Sequence, residues 1–186
     1  NGIQWLSIPV FFSLKDKTKI KDVKINNEVC WSRKHLHSIK MNYSKAKFFK
    51  DYIEIFEKGY LRNWEYLIDC DIYFIEQLLD NLNIKEKSIF FSSELNISSN
   101  DRIMRLIEIC KHFEANIFYE GAAGKNYIDT EVFEKNGIQV IFQDYHHPIY
   151  NQLYGEFVSH LSVIDLLFNE GNKSYEIILN NNSEVI

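Results

Sequence analysis

Residues 116–142, NIFYEGAAGKNYIDTEVFEKNGIQVIF, decide the fold that the sequence predicts. The stretch opens with a short apolar run, Asn116–Tyr119, and closes with another, Ile138–Phe142. Between them lie a glycine-containing loop and a short helical pattern, Asp129–Lys135, which stops at an Asn-Gly pair typical of helix C-termini. Two buried strands joined by such a helix make a βαβ unit with a parallel strand pair. The stretch therefore predicts an α/β fold.

The residues just before this stretch extend the pattern. Ser88–Phe91 is a short apolar run bounded by polar residues, so we expect a further buried strand. A helix should span Asp101–Phe113, with Ser98, Ser99 or Asn100 as its N-cap. Right-handed crossovers would place both helices on one face of the sheet. We therefore predict a Rossmann-like parallel sheet core flanked by helices.

The first half of the chain has a helical pattern. Three segments, Trp31–Lys47, Phe49–Leu61 and Trp64–Leu82, carry apolar residues at helical spacing. They predict a helical layer over residues 31–82, on the face of the sheet that the crossovers leave open. Before them, β-branched and aromatic residues predict a strand over Ile3–Val10.

Lysines alternate with other residues from Lys15 to Lys24. This pattern is typical of an edge strand that lysine protects from further pairing, and a strip that attracts phosphate is the alternative. Near the C-terminus, Leu161–Phe168 and Lys173–Asn180 are predicted helices, and we expect the residues after Asn180 to be frayed.

Length and composition limit the class of protein. The 186 residues fall within the roughly 100–200 expected of one domain, and 46% hydrophobic with 25% charged residues is typical of a globular protein. A net charge of −5 argues against binding of nucleic acid, which needs a basic face. The uncharged run Ile3–Leu14 holds 12 residues, whereas a membrane span needs about 20.

The three cysteines, Cys30, Cys70 and Cys110, lie far apart, each within an apolar pattern. Disulfide frameworks and zinc sites need pairs at short spacing. We therefore predict buried free thiols, no metal site and a reducing cytoplasmic location.

Polar clusters follow each predicted strand of the second half. The clusters are Ser92–Glu94, Glu120–Tyr127 and Gln143–Pro148. Ligands of open parallel sheets bind beyond the carboxyl ends of the strands. If the three strands are parallel neighbours, the clusters meet in one crevice, which is the predicted site.

Gly121, Gly124 and Lys125 suit an anion in this crevice, because glycine permits close approach and a helix N-terminus favours negative charge. The loop is not a Walker loop, since Tyr119 replaces its first glycine and Asn126 replaces its Ser/Thr. A simple tight turn between strand and helix is the alternative.

His146 and His147 lie in the densest polar cluster, with Tyr150 and Gln152 close behind. A histidine can accept the proton of an amine that attacks an acyl group. Adjacent histidines usually point to opposite sides, so at most one would be the base; incidental surface histidines are the alternative. The sequence contains no Gly-x-Ser-x-Gly motif, so it gives no indication of a covalent triad.

Two further patterns have a structural and a functional interpretation. Ser162 and Asp165 have the spacing of a helix capping box, with a catalytic role of Asp165 as the alternative. Arg102 and Arg105 share a helix face, where a solvated surface is the default and a carboxylate or phosphate clamp is the alternative.

Several motifs resemble the WbqC-like protein family, in the same order along nearly the whole chain. They are Gln4–Val10, Trp31 with Lys34-His35, Ser92–Leu95, Tyr119–Tyr127, Pro148–Gln152 and Leu161–Gly171. The resemblance implies one WbqC-like domain over residues 1–186. Family members also carry an N-terminal segment with a Gln-Pro-x-Tyr-Phe-Pro-like motif that this sequence does not contain, so we expect a domain truncated at its N-terminus.

The family is associated with O-antigen and other surface-polysaccharide clusters, and glycine transfer has been suggested for some members. The resemblance therefore implies a transferase that adds an aminoacyl group, such as glycine, to a nucleotide-linked amino sugar, with ATP as a candidate cofactor. The predicted catalytic residues are His147, His146 and Asp165. The predicted substrate-binding residues are Gly121, Gly124, Lys125, Tyr127, Tyr150, Gln152 and Ser93.

Two other functions fit the same residues. One is a non-catalytic nucleotide-sugar binding or scaffolding protein of a polysaccharide assembly, and the other is adenylyl transfer. The sequence leaves the sugar, the acyl donor and the oligomeric state open.

Overall fold

The computed structural model describes residues 2–12, 18–85 and 87–180. The described chain divides into two compact units: the first comprises residues 2–12, 18–85 and 147–179, and the second comprises residues 87–146 and 180. The helices of the described part are α1 (Trp31–Tyr43), α2 (Phe49–Tyr60), α3 (Leu67–Asn81), α4 (Arg102–His112), α5 (Thr130–Glu134), α6 (Val163–Glu170) and α7 (Ser174–Asn180). Its strands are β1 (Val10–Phe11), β2 (Lys24–Ile25), β3 (Ile117–Glu120) and β4 (Gln139–Phe142).

The core of the first unit is helical, as the periodicity predicts for residues 31–82. Tyr52, Ile55, Phe56 and Gly59 recur at helical spacing and form the buried face of α2. Within the core, α2 packs beside α1, α3 and α6, and its buried side chains join Ile39, Leu167 and Phe168.

One glycine permits a close approach between two of these helices. A Cβ at Gly59 would lie 2.5 Å from the Phe74 ring and 2.7 Å from the Tyr73 ring. Since real Cβ atoms essentially never come this close to another atom, a larger residue at position 59 would force the two rings to move.

The N-terminal strand is shorter than predicted. Only Val10–Phe11 is paired, antiparallel to Lys24–Ile25, and residues 3–9 are irregular. The lysine-rich segment is not an edge strand where it is described: Ile20–Asp22 is a 3₁₀ turn, and Lys24 faces Phe11 on one side and Tyr66 on the other. Lys15 and Lys17 lie outside the described residues.

The second unit contains the βαβ arrangement predicted from residues 116–142. Strands β3 and β4 are parallel, with Ile117 opposite Gln139, and α5 lies between them in the chain. The buried side chains of the unit come from α4, α5 and the neighbouring loops, and they are Ile107, Cys110, Ile128, Phe133 and Ile138.

Three local predictions in this unit and around it were wrong. Ser88–Phe91 is irregular, and Phe90 is 60% exposed, its ring 4.5 Å from that of Phe113 rather than in a strand ladder. The parallel sheet of the described residues therefore has two strands, and the wider Rossmann-like core stays a prediction.

The N-cap of α4 is Asp101, whose carboxylate accepts from the Met104 amide at 2.8 Å. Cys30 is exposed, whereas Cys70 and Cys110 are buried, and all three thiols are free.

Candidate functional site

A buried carboxylate lies at the centre of the candidate site in the first unit. Asp165, in the first turn of α6, is only 4% exposed. Its Oδ2 accepts hydrogen bonds from the Tyr150 hydroxyl at 2.9 Å and from the Gln152 amide nitrogen at 3.0 Å. Asp165 thus binds two of the residues that the sequence predicted to act with it.

The capping box predicted at Ser162 is not formed. Ser162 occupies the N-cap position of α6, but its side chain makes no cap hydrogen bond. The carboxylate of Asp165 binds Tyr150 and Gln152 instead of the helix end. The alternative interpretation, a functional Asp165, therefore remains.

Sequence reasoning missed a third partner of this carboxylate, Tyr43. The hydroxyl of Tyr43, the last residue of α1, lies within electrostatic range of the Asp165 carboxylate. Burial raises the pKa of the Tyr43 hydroxyl, and the negative charge of Asp165 raises it further, so the hydroxyl keeps its proton. No local signal marks Tyr43, because it meets α6 only through the tertiary fold.

Gln152 is occupied within the protein. Its Oε1 accepts from the Val158 amide at 2.8 Å, and its Nε2 donates to the Val158 carbonyl at 2.9 Å as well as to Asp165. An amide nitrogen has two protons, and these two contacts use both. Gln152 therefore closes the loop of residues 152–158 and positions it against α6.

His147 is half-buried, whereas its neighbour His146 is exposed. The Nδ1 atom of His147 lies 2.8 Å from the Pro148 carbonyl oxygen. A carbonyl only accepts, so Nδ1 carries the proton in this contact, and the neutral ring has its lone pair on Nε2. This tautomer is the one that can take up a proton at Nε2.

Aromatic rings surround His147. Its ring centroid lies 6.3 Å from that of Tyr150, 5.8 Å from that of Phe157 and 4.7 Å from that of His160. The Tyr150 and Phe157 rings meet edge to face at 5.3 Å. The orientation of His147 is therefore coupled to Tyr150, and through Tyr150 to Asp165.

The glycine loop lies in the second unit, directly after β3. Residues Ala122–Asn126 form a 3₁₀ turn in which Lys125 is exposed. Nothing lies within 4 Å of a Cβ built on Gly121, whereas a Cβ on Gly124 would meet Cγ of Glu120 and lie 3.1 Å from the Phe142 ring. Gly124 is thus needed for packing, and Gly121 leaves open space that a ligand can enter.

The expected helix N-terminus does not follow Lys125 directly. Helix α5 starts at Thr130, and the Asp129 carboxylate accepts from the Glu131 amide at its end. A carboxylate already occupies that helix end, so the dipole argument for an anion no longer applies to it. What remains of the predicted anion site is the Lys125 charge and the open backbone at Gly121.

Tyr127 is held on two sides at the end of this loop. Its hydroxyl donates to the Glu120 carboxylate at 3.1 Å, and the Arg102 guanidinium lies 4.0 Å from its ring centroid. Arg102, at the start of α4, therefore contacts the glycine loop. The sequence left open whether this arginine is a carboxylate or phosphate clamp.

The ends of the two parallel strands lie side by side. The Gln143 amide donates to the Glu120 carbonyl at 2.8 Å, so the loops after β3 and β4 start together. Ser93 is exposed in the turn after Phe91, and no hydrogen bond within the described part of the chain joins it to these loops. The structure brings two of the three predicted clusters together at their starts.

Among residues 2–12, 18–85 and 87–180, no three His, Cys, Asp or Glu side chains are grouped so that they could hold a metal ion. No helix in the same ranges has the length and apolar character to cross a bilayer.

Comparison with known proteins identifies the family. Residues 1–177 match the model of the WbqC-like protein family, and the chain belongs to this family. It is similar to the uncharacterized protein Rv1507c of Mycobacterium tuberculosis (strain ATCC 25618 / H37Rv), with 27% identity over 184 residues, 91% of this chain and 73% of the relative. No solved structure matches the chain significantly.

Proposed function

We propose that the protein is a cytoplasmic transferase of surface-polysaccharide biosynthesis that adds an aminoacyl group, glycine in the first instance, to the amine of a nucleotide-linked amino sugar. Membership of the WbqC-like family supports the link to polysaccharides. The observation that carries the proposal is the contact of His147 Nδ1 with the Pro148 carbonyl at 2.8 Å, which leaves the basic lone pair on Nε2.

His147 is the proposed general base. The sugar amine attacks the carbonyl carbon of an activated aminoacyl donor, for which an aminoacyl adenylate made from ATP is the proposed class. A carbon–nitrogen bond forms, the bond from that carbon to the phosphate oxygen breaks, and AMP leaves. The proton of the attacking amine passes to Nε2 of His147, a role for which a neutral imidazole is well suited near pH 7.

Asp165 and Gln152 are proposed to position this base rather than to touch the substrate. Asp165 holds the Tyr150 hydroxyl, and the Tyr150 ring lies against His147. Gln152 holds the loop that carries Phe157, whose ring also contacts His147. A misplaced base loses proton-transfer efficiency steeply, so such positioning matters for the rate. His146 is exposed and is the less favoured base.

The glycine loop of the second unit is proposed to bind the phosphates of a nucleotide. Lys125 is an exposed cation, and Gly121 leaves the backbone open to close approach. Tyr127 is the proposed contact for a sugar or base, because Glu120 and Arg102 hold its ring in one place. Ser93 remains a substrate-binding prediction from the sequence.

The test is a transfer assay with a matched control. Purified protein is incubated with UDP- or dTDP-linked amino sugars, ATP and glycine, and the sugar nucleotides are analysed by mass spectrometry. We expect one amino sugar to gain a glycyl residue, and His147→Asn to abolish the gain while His37→Asn, at an exposed position of α1, retains it. No gain on any sugar with active wild-type protein would contradict the proposal, and pyrophosphate release without acyl transfer would favour adenylyl transfer.

One observation favours a second function, binding of a nucleotide sugar without catalysis. The Asp165 carboxylate accepts from Tyr150 and Gln152, which is also how a purely structural buried carboxylate is satisfied. On this function, His147→Asn would leave the calorimetrically measured affinity for UDP-sugars and the modification of the glycan unchanged. Loss of glycan modification with intact binding would instead support the transferase.

A further inference from the structure

Arg102 is held over the ring of Tyr127 at the end of the glycine loop. Its Cζ atom lies 4.0 Å from the ring centroid, and the Tyr127 hydroxyl in turn donates to the Glu120 carboxylate at 3.1 Å. Glu120 is the last residue of β3, so the ring against the guanidinium is tied to the sheet. Cation–π attraction therefore restrains an arginine whose side chain is otherwise exposed to solvent.

The side-chain N–H groups of Arg102 have no hydrogen-bond acceptor or ion-pair partner in the part of the chain that the structure describes. A guanidinium has five such donors and no acceptor, and attraction to a ring face leaves the donors available to oxygen atoms. The Lys125 ammonium of the same loop is also without an ion pair among the described residues. Two positive charges at this loop are therefore not paired with a carboxylate.

The carboxylates that are nearest to these groups along the chain bind other donors. Asp101, the residue before Arg102, accepts from the Met104 amide at 2.8 Å and caps α4. Glu120 accepts from the Tyr127 hydroxyl. Both carboxylates thus have a structural role that does not involve the guanidinium. The space next to Glu120 in the chain is open, since nothing lies within 4 Å of a Cβ built on Gly121.

We propose that Arg102 is a phosphate-binding residue of the glycine loop, and that this phosphate belongs to the diphosphate of a nucleotide. Two N–H groups of the guanidinium donate to two oxygens of one phosphate, in the paired geometry that arginine favours. Lys125 supplies a second positive charge, and the Gly121 backbone lets the anion come close. The inference rests on the phosphate role of this loop in the proposed function.

Arg105 differs from Arg102 in one respect that matters for binding. It lies three residues further along α4, is exposed, and has no ion-pair partner in the described ranges. No aromatic ring of those ranges lies against its guanidinium. An unrestrained arginine loses rotamer freedom when it binds a ligand, whereas Tyr127 already restricts Arg102. Arg105 is therefore the matched control.

The test is calorimetric titration of the protein with UDP, and with uridine as a probe that has no phosphate. Arg102→Gln should weaken UDP binding about tenfold or more, because charge-assisted hydrogen bonds are lost. It should also make UDP affinity less dependent on salt, since one ionic contact is gone, and leave uridine affinity unchanged. Arg105→Gln should keep UDP affinity within about twofold of the wild-type value.

Arg102→Lys separates the charge from the paired geometry. A lysine keeps the cation but presents it as a point charge without a planar fork. We expect this variant to bind UDP more weakly than wild-type protein and to keep the wild-type salt dependence. Thermal unfolding of each variant shows whether the fold is intact.

Two results would overturn the proposal. One is a UDP affinity that is the same in wild-type protein and in Arg102→Gln. The other is an equal loss for UDP and uridine with unchanged salt dependence, which would show that Arg102 acts only by packing on Tyr127. Failure of the transferase is a different result: UDP binding that depends on Arg102, in a protein without acyl transfer, would uphold this inference. Wild-type protein that does not bind UDP would refute both the inference and the phosphate role of the loop.

Discussion

The side-chain amide of Gln152 binds both backbone groups of Val158, accepting from its N–H at 2.8 Å and donating to its carbonyl at 2.9 Å. The contact imitates a pair of strand hydrogen bonds and closes the loop without a strand partner. The same amide nitrogen also donates to Asp165. One side chain therefore joins the loop, the buried carboxylate and the rings around His147.

We expect Gln152→Glu to lower the free energy of unfolding by about 2–3 kcal/mol, because an oxygen would replace the nitrogen that donates to Asp165 and Val158. Urea denaturation at neutral pH measures the difference. Gln139→Glu is the control, since Gln139 is exposed in β4, and it should change stability by less than about 0.5 kcal/mol. Equal losses in the two variants would show that the amide contacts contribute nothing.

Asp165→Asn should lower the pKa of the Tyr43 hydroxyl. The negative charge of Asp165 opposes formation of a tyrosinate beside it, and the substitution removes that charge. Burial, the larger cause, remains, so the pKa should stay above its ordinary value. Alkaline absorbance titration, with Tyr43→Phe subtracted, measures it. Asp69→Asn, at an exposed position of α3, is the control, and an unchanged Tyr43 titration in Asp165→Asn would contradict the contact.

The two glycines of the loop after β3 should respond differently to alanine. Gly124→Ala places a methyl group against Glu120 and Phe142, so we expect it to cost about 1–3 kcal/mol in thermal or urea unfolding. Gly121→Ala fits its backbone and meets no atom, so stability should hold. If the loop binds phosphates, Gly121→Ala should instead weaken UDP binding in calorimetry. Unchanged UDP affinity in Gly121→Ala would oppose a phosphate site there.

His35 should make the protein less stable in mild acid. It is 6% exposed between the Trp31 and Tyr60 rings, and burial lowers its pKa, outweighing the opposite effect of the nearby Ser7 backbone. In the unfolded chain the histidine pKa is near 6.5. Below that pH the unfolded state binds the proton more readily than the folded state, so the free energy of unfolding falls as the pH drops, by at most about 1.4 kcal/mol per pH unit.

Comparison of wild-type protein with His35→Gln isolates this effect. Denaturation between pH 7.5 and 5 should show a stability difference between the two proteins that narrows as the pH falls. His37→Gln, exposed on the same helix, should follow the wild-type pH dependence. A difference that stays constant with pH would exclude His35 as the group responsible.

Local patterns predicted the helices well and the strands less well. The buried face of α2 follows directly from apolar residues at helical spacing, and its hydrogen bonds lie within the segment. A strand needs a partner from elsewhere in the chain. Ile117–Glu120 finds one in β4, whereas Ser88–Phe91 has a comparable apolar run and remains irregular. Nothing within four residues distinguishes the two cases.

The candidate site divides in the same way. The motif around Pro148–Gln152 and Asp165 is visible in the sequence. It indicated His147, Tyr150 and Gln152 together as candidate site residues. Their roles were not visible. The spacing of Ser162 and Asp165 is that of a capping box, yet the carboxylate binds Tyr150 and Gln152 because the loop folds back over α6.

By itself the sequence determined the family, the positions of the helices and the βαβ unit, because each of these depends on contacts or motifs that are close along the chain. Only the tertiary structure decided that Tyr43 reaches Asp165, that Gln152 is used within its own loop, and that His160 lies against His147. The physical reason is that side-chain contacts between distant segments depend on how helices and loops pack. A hydrogen bond or ring contact is made only within a few ångströms, a precision that residue spacing cannot specify.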